Sequence, residues 1–175
     1  MEKQIIRLTN KDCQASFDWK FIDEIELVSK TDTEILSKAD LCLGNDVYIE
    51  RDLGHYSSGL LLEIFKQLSK GTVVHCLKLP DEVRYVVADI QMDFSRYTIL
   101  DTQFPVAVYC KITDIDRQSD DVVSGVTAIV EFKQGSEISS TIKSHVKIMS
   151  AKKEAKFEGR IRMGLKEYYS LNACK

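Results

Sequence analysis

The run YIERDLGHYSSGLLLEIFKQ, Tyr48 to Gln67, brings proton-moving side chains next to a helix start. Gly54-His55-Tyr56-Ser57-Ser58-Gly59 is polar and leads directly into Leu60, Leu61, Ile64, Phe65 and Leu68, whose spacing predicts a buried helix. Ser57 or Ser58 suits its N-cap, and Lys70-Gly71 suits its end. The amides of Ser58, Gly59 and Leu60 would then lack intrahelical partners and can face an oxygen that gains negative charge. Gly59 lets a carbonyl approach the backbone closely. Glu63 falls among apolar neighbours, with Gln67 one turn further on the same side. Burial there would favour its protonated form and suit it to proton transfer. His55, just before the helix, titrates near neutrality. The chemistry on offer is polarisation of a carbonyl with a proton carrier beside it.

The same residues carry plainer readings. Glu63 can pair with Lys66 or Lys70 on a solvated face, His55 can close a turn, and Gly54 and Gly59 can be turn and packing glycines. Every helix has an N-terminus, so periodicity alone does not make this an active site.

The elements that would position these residues are mostly strands. A short strand or helix is expected around Gln4 to Leu8. Strand-like patterning begins at Glu24-Ile25-Glu26-Leu27-Val28, and a second apolar run from Ile35 to Leu43 ends at the turn signal Gly44-Asn45-Asp46. After the helix, strands are predicted over Thr72 to Leu79, Val83 to Phe94, Pro105 to Ile115, Val122 to Lys133 and Ile138 to Met149. Asp120-Asp121 and Gln134-Gly135 read as hairpin tips. The last segment, Ala151 to Tyr169, predicts a surface helix with a stripe of Phe157, Ile161, Leu165 and Tyr168. One apolar helix followed by long antiparallel strands predicts an α+β layer, a curved sheet around a single helix. Its core would span about residues 24–149 of one domain, with an N-terminal extension and a C-terminal surface helix. A bare sheet edge of this size favours pairing with a second copy, so a homodimer is expected.

Composition narrows the function classes. The 175 residues are 44% hydrophobic and 29% charged, as in a globular chain. A net charge of −3 offers no basic field for nucleic acid, and no apolar run is long enough to span a membrane. Charges interrupt the only apolar run of the first ten residues, so no signal peptide is expected. The five cysteines form no CxxC pair, which predicts reduced thiols in a cytoplasmic protein and no zinc site. His75 and His145 fall in strand-like stretches and read as core or sheet-face residues. Asp114, Asp116, Asp120 and Asp121 read as a solvated hairpin, and Phe94, Tyr97 and Phe104 as core or tunnel lining. No metal and no cofactor is expected.

The run His55, Leu60-Leu61-Leu62-Glu63, Gln67, together with Met92 to Asp101 and Pro105-Val106, resembles the A-factor biosynthesis (AfsA-type) hotdog domain. Gly54-His55-Tyr56 with Gln67-Leu68 is similar to the FcoT-type long-chain acyl-CoA thioesterases and, more distantly, to hydroxyacyl-ACP dehydratases. The resemblance covers roughly residues 35 to 149 and implies a hotdog fold acting on an acyl thioester of CoA or acyl carrier protein. By this analogy Gly59 polarises the carbonyl, Glu63 is the general base or acid, and His55 is its acid/base or orienting partner. Tyr48, Gly54, Tyr56, Ser57, Ser58, Lys66 and Gln67 would contact substrate. Ser58 stands where the AfsA-type pattern has Pro, and Ser57 and Lys66 stand where FcoT-type enzymes have Asn. Thioester hydrolysis is the leading expectation. Its alternatives are A-factor-type acyl transfer, dehydration of a 3-hydroxyacyl group, and a non-catalytic acyl- or protein-binding module.

Overall fold

A computed structural model describes residues 4–9, 20–41, 57–80, 83–98, 105–119 and 122–172. Eight antiparallel strands form one sheet: β1 (Gln4–Arg7), β2 (Glu24–Lys30), β3 (Ile35–Asp40), β4 (Val83–Val87), β5 (Gln91–Phe94), β6 (Val106–Ser119), β7 (Val122–Gln134) and β8 (Glu137–Ser150). Their spatial order is β1-β2-β3-β6-β7-β8, and β4 and β5 both pair with the far side of β8. Alternation explains the long strands. Val108, Cys110 and Ile112 of β6, Val126, Ala128, Val130 and Phe132 of β7, and Ile142 and Val146 of β8 are all fully buried. Between them Lys143 and Lys147 point out to solvent.

One helix, α1 (Ser58–Cys76, 19 residues), lies on the buried face of this sheet over β2, β3, β6 and β7. The strand expected over Thr72 to Leu79 is the last part of this helix, and His75 is an exposed residue of its final turn. Thr72, Val73 and Val74 favour strands locally. Leu61, Phe65, Leu68, Thr72 and Cys76 nevertheless keep helical spacing on the buried side, and tertiary burial overrides propensity. Gly71 does not end the helix. A Cβ there would come within 2.8 Å of Leu8 Cδ2 and 2.9 Å of Ile25 Cδ1, so this glycine allows α1 to approach the sheet closely. The true end lies at Leu77, whose N–H donates to the Val73 carbonyl at 3.0 Å, and at Lys78 in the left-handed region (φ 52°). Lys30 Nζ donates to the Cys76 carbonyl at 2.6 Å, placing a cation at the negative end of the helix dipole.

Two other expectations change. Val83 to Phe94 is two strands, because Ala88-Asp89-Ile90 leaves the ladder. There Asp89 Oδ1 accepts from the His145 N–H at 2.9 Å, and its carbonyl accepts from Ser144 Oγ at 2.5 Å. Asp114 and Asp116 belong to β6, which runs on to Ser119. Its register shifts beyond Thr113, and Asp114 takes a left-handed φ of 47°. The Gln134-Gly135 tip is present, with Gly135 at φ +67°, and Gln4–Arg7 is a strand. Asp120-Asp121 lies outside the described residues. The last helix, α2 (Ala151–Asn172), is tied to β4 by an Arg84 Nε–Glu154 Oε2 ion pair of 3.0 Å.

A polar seam crosses the core beneath α1. Ser37 Oγ and Thr72 Oγ1 are 2.7 Å apart, and the buried Cys110 thiol bonds to both side chains. Burial pushes Cys110 up to about 12 from the usual 9.0, with Thr72 and Ser37 partly offsetting it; burial likewise raises Cys76 and Tyr85. The folded state therefore keeps a proton that the unfolded chain gives up. Stability is intact below pH 9 and falls as pH rises towards 12, by about 1.4 kcal/mol per unit from Cys110 alone. Urea unfolding between pH 8 and pH 11, on scales set by those values, should show this decline. The Cys110→Ala variant should show a shallower one; an equal slope in both refutes the assignment.

Candidate functional site

The N-terminus of α1 is built by Ser57. Its Oγ accepts from the Leu60 N–H at 3.3 Å, and its carbonyl accepts from the Leu61 N–H at 3.1 Å. Leu60 thus spends its amide on the cap. Ser58 and Gly59 keep first-turn amides that no hydrogen bond uses among the described residues, and both residues are exposed.

A cleft of about 480 Å³ opens at this end of the helix. Ser58 and Leu61 form one wall, Phe94 to Thr98 the other, and Ser140 of β8 lies at its base. The 95–98 segment is strapped to the start of β8: Ser95 Oγ donates to the Ile138 carbonyl at 2.8 Å, and the Arg96 N–H donates to the Ser139 carbonyl at 3.1 Å. Thr98, almost fully buried, brings Oγ1 within 2.7 Å of Ser139 Oγ and 3.3 Å of Ser140 Oγ. Arg96 pairs with Glu137. Phe94 and Tyr97 stay 51% and 73% exposed, so the aromatic wall is open to whatever enters. The cleft combines apolar and aromatic walls, a floor of hydroxyls and a helix end carrying spare amides.

The structure distributes the sequence-predicted residues over three places. Ser58 lines the cleft, Ser57 precedes it as the N-cap, and Gly59 follows it in the first turn. Glu63 is turned round the helix from Leu61 and forms an ion pair with Lys66; both are partly exposed. Gln67 is fully buried, and its Oε1 accepts from the Phe21 N–H at 2.9 Å, fastening the segment before β2 to the middle of α1. Tyr48, Gly54, His55 and Tyr56 lie outside the described residues. Among the described residues no group of three His, Cys, Asp or Glu side chains is arranged to hold a metal ion.

Thr98, Ser139 and Ser140 escape sequence reasoning. The only hint is a Ser-Ser pair at the start of a strand that otherwise alternates apolar with polar. Phe94 and Tyr97, expected as core or tunnel lining, are not core: both are exposed and line the open cleft.

No family model matches this chain, and no curated protein matches it. The chain is similar to several solved thioesterases at low identity. A thioesterase from Haemophilus influenzae is 12% identical, with a TM-score of 0.42 over 72% of this chain and 78% of its own. A hypothetical thioesterase from Streptococcus pneumoniae, solved with coenzyme A, is 11% identical, with a TM-score of 0.47 over 72% and 89%. A thioesterase from Thermus thermophilus, complexed with coenzyme A and Zn, is 14% identical, with a TM-score of 0.47 over 65% and 79%.

The Gln67 contact yields a test of its structural role. Gln67→Met keeps the volume and removes the acceptor of a buried backbone N–H, so denaturant unfolding should show a loss of about 1–3 kcal/mol. Unchanged stability would mean that the Phe21 amide does not depend on Gln67.

Proposed function

We propose that this protein is a hotdog enzyme that hydrolyses acyl thioesters of coenzyme A or acyl carrier protein. The cleft at the α1 N-terminus carries the reading. It offers amides of Ser58 and Gly59 to a carbonyl oxygen and an apolar, aromatic wall to an acyl group. Glu63 lies round the helix from the cleft wall at Leu61, so its role as general base or acid rests on the resemblance of residues 55–67 to hotdog sequences alone.

In this reading water attacks the thioester carbon while Glu63 takes its proton. The tetrahedral oxyanion rests against the helix amides. On collapse the carbon–sulfur bond breaks, and the thiolate leaves with the proton returned from Glu63. Lys66 pairs with Glu63 and holds it in place. His55 would share the proton movement. A second copy would pair along the outer edge of β4 and β5, which among the described residues bond only to β8.

One observation favours a second reading, an acyl-binding module without turnover. No described residue lining the cleft is a carboxylate or an imidazole, and Glu63 is already held by Lys66.

A thiol-release assay over acyl-CoA and acyl-carrier-protein thioesters of graded chain length separates the two. Hydrolysis is expected in the wild type, and Glu63→Gln should lower kcat by about a hundredfold or more with the melting temperature unchanged. Full activity in Glu63→Gln removes the base assignment. Acyl-CoA binding without hydrolysis on any member of the panel establishes the binding module instead.

A further inference from the structure

Helix α2 holds six of the chain's 24 Lys and Arg residues and three of its 27 Asp and Glu residues. The helix is thus net +3 and the rest of the chain net −6. It packs on β4 and β8, and Glu154 of its first turn meets Arg84. Beyond Glu154, the side chains of Lys156, Glu158, Arg160, Ile161 and Arg162 are all exposed, and a Cβ at Gly159 would meet no atom within 4 Å. Among the described residues no carboxylate pairs with Lys152, Lys153, Lys156, Arg160 or Arg162.

The order of residues sorts two chemistries around this helix. Phe157, Ile161, Leu165 and Tyr168 recur at spacings of four and three, so they share one face. Ile161, the described side chain among them, is 47% exposed. Lys152, Lys156 and Arg160 form a row spaced by four, and Arg160 and Arg162 flank Ile161 to either side. The body offers these cations no partner, and a second α2 laid across this face would set net +3 against net +3. An anionic lipid surface supplies both complements at once, hydrocarbon for the apolar face and phosphate for the cations, at every turn of the helix. Lys and Arg stems can lie along that boundary with their charged heads among the phosphates. The same surface repels the acidic remainder of the chain and so turns α2 towards it.

We propose that α2 lies flat on an anionic lipid surface, with the face of Ile161 towards the hydrocarbon and Lys152, Lys156, Arg160 and Arg162 at the phosphates. At the helical rise its 22 residues cover about 33 Å of that surface. The contact does not depend on hydrolysis at the cleft.

Co-sedimentation of the full chain with vesicles of phosphatidylcholine, alone or mixed with phosphatidylglycerol, tests this. At low salt the chain is expected to bind the mixed vesicles about tenfold or more tightly than the neutral ones, and about 0.5 M salt should release it. Lys152→Gln, Lys156→Gln, Arg160→Gln and Arg162→Gln together should abolish binding. Ile161→Ser should weaken it about threefold or more at unchanged charge. Both variants should keep the wild-type melting temperature, because the altered side chains are exposed. If the fourfold variant fails to fold, Ile161→Ser carries the test. Lys143→Gln with Lys147→Gln, on the outer face of β8, should bind as the wild type does. Equal binding to both kinds of vesicle, wild-type binding by the α2 variants, or an equal loss in the β8 variant overturns the proposal. So does retention on duplex DNA without vesicle binding, which assigns the cations to nucleic acid. A lipid-free dimer that Ile161→Ser dissolves overturns it too and gives the face to a second copy.

Discussion

Leu61, Ile64, Phe65, Leu68 and Val73 of α1 are withdrawn from solvent against an inner sheet face of Val, Ile and Phe side chains. Each such side chain contributes about 1.5–3 kcal/mol when fully buried, so this contact outweighs any local preference in the chain. It also fixes orientation. Once that stripe faces the sheet, Ser57 must cap the end nearest the 95–98 strap, and Lys30 must meet the other end at Cys76. The amide-bearing tip and the cleft are brought together by packing, with Gly71 setting how close the rod can lie.

Polar groups under this helix are handled one by one. Gln67 holds the Phe21 amide, Ser69 returns to the Phe65 carbonyl, and Thr72 meets Ser37 and Cys110. These bonds make the packing directional where the apolar contacts would allow sliding.

Much of the architecture is legible in the sequence, because burial on one face imposes a period of two on β6, β7 and β8 and of about 3.6 on α1. The misreadings fall where two signals compete. Thr72-Val73-Val74 is β-branched, and Gly71 imitates a helix stop, yet both serve a helix pressed against a sheet. The break at Asp89 depends on hydrogen bonds to Ser144 and His145, more than fifty residues away, which no local pattern carries. Of the site, the helix start and its cap are readable from Ser57 and the apolar spacing. The wall opposite comes from the 95–98 strap, and its hydroxyl contacts with Ser139 and Ser140 exist only after the chain has folded.

The interruption at Ala88-Asp89-Ile90 divides the outer margin into a five-residue and a four-residue piece. A straight, uninterrupted margin is an open template onto which any extended peptide can add, and chains carrying one are prone to stack into fibres. With Asp89 pinned to β8, an incoming strand meets two short ladders with a step between them. Indiscriminate growth is discouraged, and only a partner shaped to the same step can dock along the full length.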